Sequence, residues 1–140
     1  MELLIGALLG VLLERATSFL GAAIITFRHR RLRGSYTAWS PDGVKGGTVT
    51  IRPRLGNSFV TRGTHDDLRD DWTGSFQLED MFTGSAHGVY RHVNRDPADW
   101  GNHYLMLLDN GDIAVQWHNV SRGRDRKGRL LWKRDSSRVA

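Results

Sequence analysis

Two stretches concentrate the side chains able to do acid–base or metal chemistry. "THDDLRDDW" and "HVNRDPADWGNH" place His65, Asp66, Asp67, His92, Asp99 and His103 close together along the chain. Histidine and carboxylate are the groups used for proton transfer and for zinc ligation. Neither spacing matches a ligand motif and both stretches are rich in turn residues, so they read as solvated loops with no metal. No ordered Ser, His and Asp set, glycine-rich phosphate loop or paired-carboxylate pattern stands out, although a fold can bring such groups together.

A second set is aromatic. Alternation along "WTGSFQL" puts Trp72, Gly74, Phe76 and Leu78 on one face and Thr73, Ser75 and Gln77 on the other. The same rule groups Ile113, Val115 and Trp117; Leu130, Trp132 and Arg134; and Ala86, Gly88, Tyr90 and His92. Trp, Tyr and Arg together suit a planar or anionic ligand, because aromatic faces stack and guanidinium forks pair with phosphate. Each aromatic taken singly also suits a core position.

These residues need a scaffold of strands. Beyond Gly34 short β-rich runs alternate with the turn chemistry of "SPDGVKGG", "RLGN", "DNGD" and "RGRDRKG". The runs predict eight strands: Gly34–Ser40, Thr48–Arg54, Ser58–Gly63, Trp72–Glu79, Ala86–Val93, His103–Asp109, Asp112–Val120 and Gly128–Arg134. Joined mostly by short turns, they predict a mainly β fold, a small eight-stranded antiparallel meander barrel. Such a barrel has no exposed edges and space for one small ligand.

The first 27 residues read differently. From Leu3 to Phe27 only Glu14 and Arg15 are charged, and at about 1.5 Å per residue this run is long enough for a ~30 Å hydrocarbon core. It predicts an N-terminal transmembrane helix, giving a membrane and juxtamembrane segment over 1–33 and a barrel domain over 34–140. The basic cluster Arg28, Arg30, Arg31 and Arg33 follows the run. Under the positive-inside rule it places the N-terminus outside and the barrel in the cytoplasm. The chain holds no cysteine and its net charge is +5; the acidic "HDDLRDD" offsets much of the later basic charge, so no DNA or RNA partner is expected.

Gly6, Gly10, Glu14 and Gly21 recur on one helical face, with Arg15 about 100° around. Small residues let helices approach closely, and charges inside a span usually face a bundle, so this face points to self-association. A monomeric anchor and an interfacial helix are the alternatives.

The apolar segment, the "RHRRLRGSY" junction and a small barrel carrying "WTGSF", "GVYRH" and "LLWKR" together resemble the SMODS-associated transmembrane β-barrel family. These are membrane effectors of bacterial CBASS-type anti-phage defence. Its members typically carry two spans, where this chain has room for one. The resemblance implies a receptor rather than an enzyme, at the bacterial inner membrane. Its barrel binds a cyclic di- or trinucleotide made by a partner synthase, and its helices then assemble and disrupt the bilayer. With that ligand, alternation selects Tyr36, Tyr90, His92, Trp117 and Trp132 as contacts, and Arg52 as the phosphate partner. No other cofactor is implied. A membrane-tethered carrier of apolar ligands or a scaffold is a second expectation, and a hydrolase using Asp66 and Asp67 a third.

Overall fold

The computed structural model describes residues 2–28, 30–54, 56–66, 70–80, 83–93, 99–120 and 125–135, with helix side chains described from 6 to 21. The helix α1 (Glu2–Arg28) is followed by a 3-10 turn (Arg30–Leu32) and eight strands. These are β1 (Gly34–Trp39), β2 (Lys45–Pro53), β3 (Ser58–His65), β4 (Asp70–Asp80), β5 (Ser85–His92), β6 (Trp100–Leu107), β7 (Ile113–Asn119) and β8 (Arg126–Arg134). Each strand pairs antiparallel with the next and β8 pairs back onto β1, closing the barrel. The expected meander is therefore present, with boundaries shifted mainly where β2, β6 and β8 begin earlier than the apolar runs.

Period-two alternation decides which residues line the interior. In β2, Gly47, Val49 and Ile51 are buried, while Thr48, Thr50 and Arg52 are exposed. Outside, Thr48 and Thr64 face each other across β2 and β3 and share a 3.0 Å hydroxyl contact, which supports the register. The β6–β7 connection is the tight turn Leu108–Asp112: Leu108 N–H donates to the Asp112 carbonyl at 2.8 Å, and Gly111 takes a φ of 86° that other residues rarely adopt.

The interior has two halves. At the end where β1 starts, Tyr36, Ile51, Phe59, Phe76, Leu105 and Ile113 fill it completely, with the Phe59 and Phe76 rings stacked 4.9 Å apart. Leu32, only 3% exposed, belongs to the same core, and its carbonyl accepts from the Tyr36 hydroxyl at 3.0 Å. Burying each of these large side chains contributes about 1.5–3 kcal/mol. Arg134, at the end of the barrel, locks the linker: Nη1 donates to the Arg31 carbonyl at 2.6 Å and Nη2 to the Arg33 carbonyl at 2.9 Å. Arg134→Ala should lower stability by about 1 kcal/mol, since two charge-assisted bonds are lost from a partly solvated site. A thermal midpoint equal to that of the parent would show the clamp to be energetically idle.

The helix requires a correction. Among the described residues, no helix is long and apolar enough to cross a membrane, which overturns the span expected from Leu3 to Phe27. Glu14 and Arg15 interrupt the apolar residues near the middle of the helix. The helix nevertheless exposes Leu8, Leu9, Val11, Leu12, Leu13, Phe19 and Leu20. Among the described residues, a Cβ added at Gly6, Gly10 or Gly21 would meet nothing within 4 Å beyond the helix's own backbone and its chain neighbours.

Candidate functional site

The other half of the barrel is hollow. A cavity of about 220 Å³ opens where odd strands end and even strands begin, opposite the end plugged by Tyr36 and Phe59. Its volume is roughly fifteen times what one water needs. Trp72, Tyr90, His103 and Trp132 form its inner wall, with Val49, Val115 and Leu130 between them; His65, His92, Trp117, Asn119 and Arg126 line it toward the mouth.

Large rings fit because glycines stand opposite them. Trp72 pairs with Gly63, Tyr90 with Gly101, His103 with Gly88 and Trp117 with Gly128. A Cβ at any of these glycines would overlap the facing ring. The rings thus lean across the neighbouring strand and turn their remaining faces to one another. Trp72 and Trp132 have centroids 5.9 Å apart, Tyr90 meets Trp72 edge-on at 6.2 Å, and Tyr90 stacks on His103 at 5.9 Å.

Burial sets the charge state of this wall. It is the main cause lowering the His103 pKa to about 4, with the Coulomb effect of His87 adding and a hydrogen bond to the Ser75 backbone opposing. His103 is therefore a neutral imidazole near pH 7. Burial, assisted by Asp99, raises the Tyr90 hydroxyl to about 12. The inner wall is uncharged and aromatic. Two polar atoms stand out there: the Nε1–H of Trp132, a residue 2% exposed, and Nε2 of His103, also 2% exposed, find no partner in hydrogen-bond geometry among the described residues.

Nearer the mouth, His92 Nδ1 lies 2.8 Å from Asp70 Oδ2, and both residues are buried. This is ion-pair distance, so the buried carboxylate stands against one edge of the imidazole. His65 stacks on His92 at 5.5 Å. Asn119 Nδ2 donates to Asp99 Oδ1 at 2.6 Å.

Of the contacts selected from the sequence, Tyr90, His92, Trp117 and Trp132 come together around the cavity. Tyr36 and Arg52 do not. Tyr36 is wholly buried in the plugged half with its hydroxyl on Leu32, and Arg52 points outward because Ile51 beside it points in. Arg134 shares the inward face of Trp132 yet is spent on the linker. Sequence reasoning missed Trp72, His103 and Arg126 as lining residues. Carrying alternation back from Leu105 to His103, and from Leu130 through Gly128 to Arg126, would have found the last two. Asp66 lies on the surface, 3.5 Å from Lys45, and Asp67 lies outside the described residues. Among the described residues no group of three histidines or carboxylates is arranged to hold a metal ion.

No family model matches the chain, and neither a curated protein nor a solved structure matches it.

Proposed function

We propose that the barrel is a receptor for a cyclic di- or trinucleotide supplied by a separate synthase, and that α1 is its output element. In this reading α1 associates with α1 of other copies at a lipid bilayer, in a bacterial defence response in which the barrel faces the cytoplasm. The observation that carries the receptor half is the cavity itself: four rings, Trp72, Tyr90, Trp117 and Trp132, around one opening. Such walls stack on bases, each contact contributing about 1–3 kcal/mol. The carrier alternative calls for an aliphatic interior, and the histidines and indoles here favour a heteroaromatic ligand instead.

The output half rests on the helix. Apolar side chains around its circumference stay uncovered within one chain, and packing them against other copies at a bilayer removes that surface from water. Ligand binding drives this only if the assembled state holds the ligand more tightly than the resting one.

Calorimetric titration of the full chain in detergent against a panel of cyclic di- and trinucleotides tests the reading. Saturable binding by one member is expected, weakened at least about tenfold by Trp117→Ala. Silence across the panel from folded protein would remove the receptor reading.

A further inference from the structure

The cavity is small for a ligand with several bases. A cavity of about 150 Å³ lodges one benzene ring, so the roughly 220 Å³ available here holds one bicyclic ring system and no second. Its polar groups are also sorted by depth. Inside, the Trp132 Nε1–H lacks an acceptor; an indole N–H only donates, so the matching ligand edge carries an acceptor atom. Toward the mouth, Arg126 lines the opening from the first position of β8. His92, whose Nδ1 lies 2.8 Å from Asp70, lines it from the last position of β5. Guanidinium and imidazole at an opening above an uncharged aromatic wall match an anion attached to a planar ring. The carboxylates at this end have partners of their own: Asp70 has His92, Asp99 has Asn119, Asp66 has Lys45 and Asp125 has His118.

We infer that each barrel recognises a single nucleotide unit: one base inside, with an acceptor toward Trp132 Nε1, and one phosphate at the mouth on Arg126 and His92. The inference rests on the receptor reading. A cyclic oligonucleotide then inserts one base per barrel and keeps its other bases outside. A free mononucleotide offers the same chemistry, so the two sources are separated by experiment.

The full chain is titrated with the common nucleoside monophosphates, with the corresponding nucleosides and with the cyclic ligands, as wild type and as Arg126→Ala. Arg126 is exposed, so its truncation leaves the fold intact. The expected result is one monophosphate that binds one per chain and competes with the cyclic ligand. It binds at least about tenfold more tightly than its nucleoside, a margin that Arg126→Ala erases. Binding of a cyclic ligand with no competing monophosphate, or equal weakening of nucleoside and monophosphate by Arg126→Ala, overturns the inference and leaves the receptor reading standing. No binding by any of the three classes overturns both.

Discussion

Gly88→Ala is expected to destabilise the barrel by about 3 kcal/mol, the upper end of the cost of overpacking a filled interior. Gly88 faces inward on β5, opposite Phe76 of β4 and His103 of β6. A Cβ built there falls against the Ser75 carbonyl, the Phe76 Cα and His103 Nε2. Two of those atoms are backbone, so rotating a side chain gives no relief and the β4–β5 pairing itself must part. Gly46 is the contrast, since its added Cβ meets nothing nearer than the Ala38 carbonyl at 4.0 Å. Urea midpoints should drop sharply for Gly88→Ala and little for Gly46→Ala, with unchanged slopes. Equal small losses in both would mean that the strands have slack the structure does not show.

The second large effect is acid destabilisation through His103. Its folded pKa of about 4 lies below the ordinary 6.5, so between those values the unfolded chain binds a proton that the folded chain does not. Folding free energy from this group is therefore fully present above pH ~6.5 and is lost as pH falls toward 4. The loss is about 3 kcal/mol, because a tenfold change in proton affinity corresponds to roughly 1.36 kcal/mol. Denaturation midpoints measured from pH 7 to pH 4 should fall more steeply in the parent than in His103→Gln, which has no proton to gain. Parallel curves would show that His103 accepts its proton without leaving the interior. The Tyr90 hydroxyl, raised to about 12, works in the opposite range, and its contribution is lost as pH rises from about 10.

Much of the scaffold was legible because a barrel strand has one buried and one solvated face, and that contrast writes itself into alternate residues. "WTGSFQL" shows it plainly and forms a strand with the expected face inward. The cavity was less legible. What hollows one end and fills the other is the pairing of each ring with a glycine on the neighbouring strand, such as Trp72 with Gly63 and Trp117 with Gly128. That relation depends on register, which no single strand carries. Arg52 illustrates the same limit: its type fits a phosphate, and only the inward direction of Ile51 assigns it to the outside. His103 reads both as part of a polar stretch and as the first residue of a strand, because "DWGN" carries turn residues; β6 begins at Trp100 and carries His103 inward. At the helix, Glu14 and Arg15 are visible in the run and read as the assembly face of a span, whereas their charges divide the apolar surface.

The most direct test of the cavity as a ligand site uses the five tryptophans as position markers. Trp72, Trp117 and Trp132 line the cavity. Trp39 lies on the outer surface under Lys133 Nζ at 5.1 Å, and Trp100 is 45% exposed at the start of β6. The indole N–H resonances of the full chain should be followed by NMR while the cyclic nucleotide that binds in calorimetry is added. Shifts at Trp72, Trp117 and Trp132, largest at the Trp132 N–H as it gains an acceptor, with Trp39 and Trp100 unmoved, are the predicted result. A bound ligand that moves only Trp39 or Trp100 would place the binding site elsewhere and contradict the account.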